Sequence, residues 1–513
     1  MNLHFSCLLE SLQAPAQLDA KQMDHFVRCC EVVDQLATSD VAALLEAARR
    51  HCSLSGGPQE AMLEPLLERL VARQNQKPEP LSHEIRDRIV SLYGLLGPTS
   101  RCRGRLLQWL AMSCHDADLQ ALVECIISAP PEDPRAAALA LTPLFQGRDY
   151  KPAVLFPRLF AALQNLSIAA PILDLSNYVT REGLVEQHPA AERGGGLATL
   201  LGHLAERLGC IEENPAAAGE SPETLNQKID ECVSLVVALC DSLALIGETS
   251  AVGKLYQALD LQHRRIRTEA AAALAKLGEP KGVDALVQLA AEPVARLRVI
   301  SHAQELGLAD KIQDAYRTET AQAEAQVAVE LAQPAFFGIP PTSLDLFDSR
   351  TQFWPGFDSP VPCYLFRYEY RFPNAPYHNV AIAGPLVHAF VADLTDLPPE
   401  DIYAAYAGWH VEDESVFEVP ADHFTAEQLT EAERLELQLR NAQYDAIEPI
   451  RLGYFFGERA LIAKAMHDGV TGIAVADQNG IDWFPATTQQ HPIGAEEAFC
   501  IYKGRRLLRL FNG

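Results

Sequence analysis

Ile266-Arg267-Thr268-Glu269-Ala270-Ala271-Ala272-Ala273-Leu274-Ala275-Lys276-Leu277-Gly278 reads as one helix with a defined start and stop. Alanine and leucine favour the helix, and a glycine just past its end closes it in a left-handed cap. The run of small alanines lets a neighbouring helix approach closely. The same plan occurs far upstream in Ile85-Arg86-Asp87-Arg88-Ile89-Val90-Ser91-Leu92-Tyr93-Gly94-Leu95-Leu96-Gly97, again with eleven residues from arginine to closing glycine. Aliphatic-Gly ends recur at Gly247, Gly278 and Gly307, in steps of 31 and 29 residues. A period of that size is the mark of stacked helical repeats.

Working outward, residues 1–333 read as almost continuous helix, as in Val41-Ala42-Ala43-Leu44-Leu45-Glu46-Ala47-Ala48. Breakers such as Ser55-Gly56-Gly57-Pro58, Gly97-Pro98 and Glu279-Pro280 divide it into segments one or two helices long. The pattern resembles the HEAT-repeat family, in particular the short bacterial, phycobilisome-lyase-like variety. The match is clearest from Thr249 to Asp310 and is supported by Leu81 to Gly97; between 98 and 245 the repeats do not phase. The segment Ile211 to Pro222 reads as an acidic loop. The resemblance implies an α-solenoid whose concave surfaces bind protein segments. It also sets Arg264, Arg265 and Arg267 one repeat from Arg296 and Arg298. Stacked, these form either an anion-binding ladder or ion pairs between neighbouring repeats.

The character of the chain changes at Ala332-Gln333-Pro334-Ala335-Phe336-Phe337-Gly338-Ile339-Pro340-Pro341. Beyond it, period-two alternation in Cys363 to Phe372 predicts a strand, as do Asn379 to Gly384, Val387 to Leu394, Gly472 to Asp477, Ile481 to Phe484 and Ala498 to Tyr502. Asp477-Gln478-Asn479-Gly480 carries a tight-hairpin signal. Helices are expected over 398–407 and 426–443, the second opened by a capping box of Thr425 and Gln428. His467-Asp468 is expected at a helix end, the imidazole near the helix dipole. The expected architecture is therefore multidomain: a HEAT-like α-helical repeat domain over 1–333, a Pro-rich linker over 334–341, and an α+β domain over 342–513.

Composition narrows the function. The 513 residues are 48% hydrophobic and 21% charged, which excludes a disordered chain. With 42 Lys+Arg against 68 Asp+Glu the net charge is −26, so nucleic acid and anionic membrane surfaces are poor partners. The first residues lack the basic start of a signal peptide. No apolar run reaches membrane-spanning length; Val233 to Ile246 reads as a buried helix. The twelve cysteines form no Cys-x-x-Cys pair, and as buried thiols they suit a reducing, cytoplasmic location. No phosphate loop, nucleophile elbow or zinc-protease motif occurs. Neither a cofactor nor a metal is expected, and no catalytic residue is assigned.

One charge feature stands out. Between Phe372 and Glu433 there are twelve carboxylates and no Lys or Arg, and residues 334–513 hold 25 carboxylates against 12 basic residues, a balance of −13. An acidic face with the aromatics Tyr403, Tyr406 and Trp409 and the run Glu412, Asp413 and Glu414 suits a protein partner of basic character; the alternative is a solvated face that serves solubility. The final segment is basic, with Lys503, Arg505, Arg506 and Arg509, and reads as a docking tail or an edge strand. Two function classes follow. The first is a non-catalytic interaction or scaffold protein. The second is an enzyme, either handling a prosthetic group as the lyase-like resemblance implies or with an active site assembled in the C-terminal domain.

Overall fold

A computed structural model describes residues 3–13, 19–51, 58–214, 221–373, 375–486 and 491–513. They divide into two compact units, Met1–Leu286 and Val287–Gly513.

The first unit is helical. It opens with α1 (Leu3–Gln13), α2 (Ala20–Cys30), α3 (Thr38–His51), α4 (Pro58–Gln76), α5 (His83–Leu95), α6 (Arg101–Met112), α7 (Asp116–Ser128) and α8 (Pro134–Leu141). It continues with α9 (Pro152–Leu155), α10 (Leu166–Arg181), α11 (Gly194–Glu213), α12 (Pro222–Ile246), α13 (Val252–Leu259), α14 (Arg264–Lys276) and α15 (Pro280–Leu289), the last running into the second unit. Helices two apart in sequence pack on each other. In one layer α1 meets α3, α3 meets α5 and α5 meets α7. In the other, α2, α4, α6, α8, α10, α12 and α14 follow one another in an unbroken row. This two-layer stacking is an α-solenoid, and one apolar cluster from Phe5 to Leu274 fills the space between the layers.

The closing glycines stand where the helix-stop reading puts them. Gly247, Gly278 and Gly307 have φ of +77°, +87° and +67°, and Gly97 lies just past the end of α5. The stack also runs through 98–245, where the sequence does not phase. There the regular helices are interrupted by 3-10 turns at Thr142–Phe145 and Arg158–Ala162, and α9 has four residues. Of the loop expected at 211–222, Ile211 to Glu213 complete α11, and 215–220 lie outside the described residues. Among the described residues, no helix is long and apolar enough to cross a membrane.

The second unit begins with α16 (Pro293–Glu305), α17 (Asp314–Arg317) and α18 (Glu319–Leu331). Two antiparallel sheets follow. The first holds β1 (Ser343–Gln352), β2 (Val361–Arg371), β3 (Pro376–Ala383) and β4 (His388–Ala389), and leads into α19 (Pro399–His410). The second is opened by β5 (Val416–Pro420) and α20 (Ala426–Asn441). It goes on through β6 (Asp445–Phe455), β7 (Glu458–His467), β8 (Val470–Asp477) and β9 (Gly480–Pro485) to α21 (Ala495–Asn512). An α+β unit thus follows the solenoid in the chain.

Strand periodicity places both faces of each sheet. On β2, Tyr364, Phe366, Tyr368 and Tyr370 point to α18, where they meet Ala323, Val327 and Leu331. Cys363 and Leu365 point the other way, into a cluster with α19 and α21. On β7, Leu461, Ala463 and Ala465 face α20, while Ala460 and Ile462 face the shared cluster. The unit therefore contains one plan twice: an outer helix, four meandering strands and an inner helix. The pairing registers correspond as well, Leu365 opposite Ile382 in one sheet and Ile462 opposite Val475 in the other.

The inner helices α19 and α21 lie in close contact, and glycine is what allows it. A Cβ on Gly408 would fall 1.9 Å from the Cys500 carbonyl oxygen, and one on Gly504 would fall 1.8 Å from that of Ala404. Each helix offers a small residue and, four on, a glycine.

Several strand and helix expectations are corrected here. Ala498 to Tyr502 is not a strand but part of α21; all five residues are buried, and a short run that is apolar all round does not separate a buried helix from a strand. Of Val387 to Leu394, only His388–Ala389 pairs as strand. Beyond it the buried Asn379 side chain replaces the ladder, donating to the Phe390 and Ala392 carbonyls at 3.0 and 2.8 Å and accepting from Leu394 N–H at 3.0 Å. His467 ends strand β7 rather than a helix, and Asp468-Gly469, both at positive φ, make the turn to β8. The hairpin around Gln478–Asn479 and the Thr425–Gln428 capping box are present as read. Residues 334–341 lie between α18 and β1, inside the second unit.

Candidate functional site

Glycines on α11 open a groove in the solenoid. Gly194, Gly202 and Gly209 recur at about two-turn spacing, and the side chains of Glu248, Lys254 and Leu261 lie against them. Lys254 lies within 2.8 Å of where a Gly202 Cβ would stand. The result is an open groove of about 690 Å³ between α11 and α13, lined among others by Glu206, Glu212, Glu213, Asp260, His203 and Lys254. Four carboxylates against one lysine make it acidic. Glu212 has a second role. The N-cap of α14, His263, makes no side-chain capping bond, and the Glu212 carboxylate accepts the N–H groups of Gln262 and His263 at 3.0–3.2 Å instead. The spacing of the α11 glycines is the sequence signal for this groove, legible once α11 is known to be one helix.

The arginines of the expected ladder sit in different settings. Arg264, Arg265 and Arg267 occupy the first turn of α14; Arg264 and Arg265 are exposed, and Arg264 and Arg267 both have interaction partners. Arg298 is exposed on α16 and also has a partner. Arg296 is only 3% exposed and is held inside the fold. Its Nε donates to the Ala290 carbonyl at 2.9 Å, and its Nη1 donates to the Ala321 carbonyl at 2.7 Å and to the Glu324 carboxylate at 2.5 Å. It ties α16 to α18, as an arginine between neighbouring helices of a stack does.

In the second unit, the carboxylates without basic neighbours in sequence acquire them in space. Asp401 receives Arg505 through two bonds of 2.7 and 2.9 Å, Glu418 receives Arg451 at 2.5 Å, Glu427 lies 3.7 Å from Arg459 and Glu400 lies 3.5 Å from Arg350. The basic C-terminal segment is likewise engaged within the unit. Arg505 also meets Asp482 at 2.9 Å, and Arg506 meets Glu458 and Asp477. Exposed carboxylates remain along the stretch at Asp396, Asp422 and Glu433, and three stand together, Glu412, Asp413 and Glu414, consecutive on the loop after α19. Beside them Trp409 is 42% exposed, its ring stacked on His388 at 4.0 Å between centroids. Burial lowers the His388 pKa, so the stacked imidazole is neutral near pH 7. The edge combines the Trp409 platform with three exposed carboxylates on one loop, of which Asp413 accepts the Ser415 N–H at 2.8 Å; Tyr403 and Tyr406, expected on the same face, are instead buried.

Among the described residues of this unit, histidine and carboxylate side chains approach each other at His423–Asp422, 3.9 Å, and His467–Asp468, 3.7 Å, both with the carboxylate exposed. Elsewhere, Cys7, His25 and Cys29 of α1 and α2 bring ligand atoms within 4.8 Å of one another. They form no Cys-x-x-Cys pair. The signal is a His and a Cys three or four residues apart on each of two helices.

A family model of HEAT repeats matches residues 225–307. No curated protein and no solved structure matches the chain significantly. The helices over 225–307 are thus of the HEAT type, and those before them stack on the same two-layer plan.

Proposed function

We propose that this chain is a non-catalytic protein-interaction or scaffold protein with two acidic docking surfaces. HEAT-type repeats typically present extended surfaces to protein segments, and the observation that carries the reading is the HEAT match over 225–307 on a stacked solenoid. The α11–α13 groove, rich in carboxylates, suits a basic segment, and Trp409 with Glu412, Asp413 and Glu414 supplies a second acidic surface with an aromatic anchor. The phycobilisome-lyase-like subtype is a narrower form of the same resemblance. The described cysteines are all free thiols, in keeping with a cytoplasmic setting.

The test is cross-linking of the full chain in its native host, followed by association kinetics with the partners recovered. Cross-links are expected at the groove or at the 409–414 edge. Rim charges act mainly on association rate, so Glu412→Gln, Asp413→Asn and Glu414→Gln together should slow association several-fold at low salt and little at high salt. Surface changes of this kind cost under about 0.5 kcal/mol, so the fold should persist. Partners that cross-link to neither surface, or bind at a rate indifferent to salt, would remove the reading.

A further inference from the structure

Three metal-ligand side chains, Cys7, His25 and Cys29, meet between α1 and α2, and a fourth, His4, borders them beside Cys29. Helix α1 carries His4 and Cys7, three residues apart, and α2 carries His25 and Cys29, four apart, so each helix presents its pair on one face. The ligand atoms of Cys7, His25 and Cys29 lie within 4.8 Å of one another. Cys29 Sγ is 3.6 Å from His4 Nδ1 and 3.7 Å from His25 Nε2. Around tetrahedral zinc, with Zn–S of ≈ 2.3 Å and Zn–N of ≈ 2.0–2.1 Å, a sulfur and a nitrogen stand about 3.6 Å apart. Both separations are therefore those of two edges of such a site.

We propose that Cys7, His25 and Cys29, joined by His4 from beside Cys29, form a structural zinc site that clips α1 to α2. Two thiolates and two imidazoles are the ligand set that selects zinc over harder ions such as magnesium or calcium. Exposure is graded to match: Cys29 is buried, Cys7 half-buried, and His4 and His25 exposed. The sulfurs face the interior while the imidazoles close the site from the solvent side, which leaves the ion a way in. Binding exchanges two thiol protons for one divalent ion and involves no change of oxidation state. The clip has a mechanical purpose. Among its described side chains, helix α1 buries three large ones, Phe5, Leu8 and Leu12, so a metal bridge adds substantially to what holds it on the stack.

The untagged full-length protein, grown with zinc and purified without chelator, should contain about one zinc per chain by elemental mass spectrometry. Cobalt exchanged into it should show the visible bands of tetrahedral cobalt with thiolate ligands. Cys29→Ser should lower the zinc content about tenfold. Because that residue is buried, His25→Ala at an exposed position provides a second variant with the same expected loss and an intact fold by circular dichroism. Cys30→Ala, beside the site but outside it, should keep its zinc. Chelation should lower the melting temperature of the wild type and leave that of His25→Ala unchanged. Wild type with less than about a tenth of a zinc per chain, both site variants retaining zinc fully, or a Cys7–Cys29 disulfide in the native protein would each overturn the proposal.

Discussion

His188 is a histidine kept neutral by the fold. Its Nδ1 accepts the Ala190 N–H at 3.1 Å, so Nε2 carries the proton and donates to Asn177 Oδ1 at 2.9 Å. Asn177 in turn donates to the Ala238 carbonyl at 3.2 Å and accepts from Ser242 at 2.8 Å, which links α10 to α12. Burial lowers the His188 pKa from 6.5 to about 4. A histidine whose pKa is lowered on folding binds more protons unfolded than folded. The stability tied to it is therefore whole above pH 6.5 and falls as pH drops from 6.5 towards 4. At pH 5 the loss is on the order of 2 kcal/mol. His188→Gln can make the same two hydrogen bonds and does not titrate. Hydrogen exchange in α10 and α12 should thus accelerate between pH 7 and pH 5 in the wild type, after correction for intrinsic rates, and accelerate much less in the variant. An equal response in both would place the pH sensitivity elsewhere.

Elements were legible where their pattern is local. The Thr425–Gln428 capping box and the Ile266–Gly278 helix each carry their start and stop signals within a dozen residues, and both are where those signals put them. Strands β6 and β7 were not legible. Stretches such as Ala460-Leu461-Ile462-Ala463 are apolar on both faces because α20 covers one side and α21 the other, so no alternation survives. The α19–α21 contact was hidden for a related reason: Gly408 and Gly504 mean nothing singly and acquire their role only when the helices meet. Gly408→Ala or Gly504→Ala would drive a methyl into backbone, which cannot move aside as a side chain can. Each should cost about 3 kcal/mol, at the upper end for overpacked cores. Gly253→Ala on α13, where a Cβ meets nothing, serves as the control and should be neutral or mildly stabilising. Thermal melts of the three variants decide the matter, and a Gly504→Ala protein as stable as wild type would mean the helices pack less closely than described.

At the scale of the whole molecule, charge and connectivity both read differently in space than along the chain. Twelve carboxylates without a basic neighbour in sequence suggest a broad acidic face, yet Arg350, Arg451, Arg459 and Arg505 reach four of them from distant segments, and only Glu412, Asp413 and Glu414 remain as a run of exposed carboxylates on one loop. Likewise the Pro-rich stretch at 334–341 looks like the natural place to divide the protein, but the helix before it belongs to the sheet after it. Helix α18 covers Tyr364, Phe366, Tyr368 and Tyr370, none more than 8% exposed. Tyr370 also donates to the Leu331 carbonyl at 2.7 Å. A fragment of residues 342–513 would leave those four aromatic rings on an uncovered sheet face, and an apolar patch of that kind invites association. A fragment of 293–513 keeps α18, together with Arg296 that anchors it to α16. The longer fragment should be monomeric with a cooperative melt, while the shorter one should aggregate or bind a hydrophobic dye such as ANS. Sedimentation and dye fluorescence on the two fragments separate the cases. If 342–513 proves as soluble and as cooperative as 293–513, then α18 is not a structural part of the sheet domain, and the boundary belongs at the prolines after all.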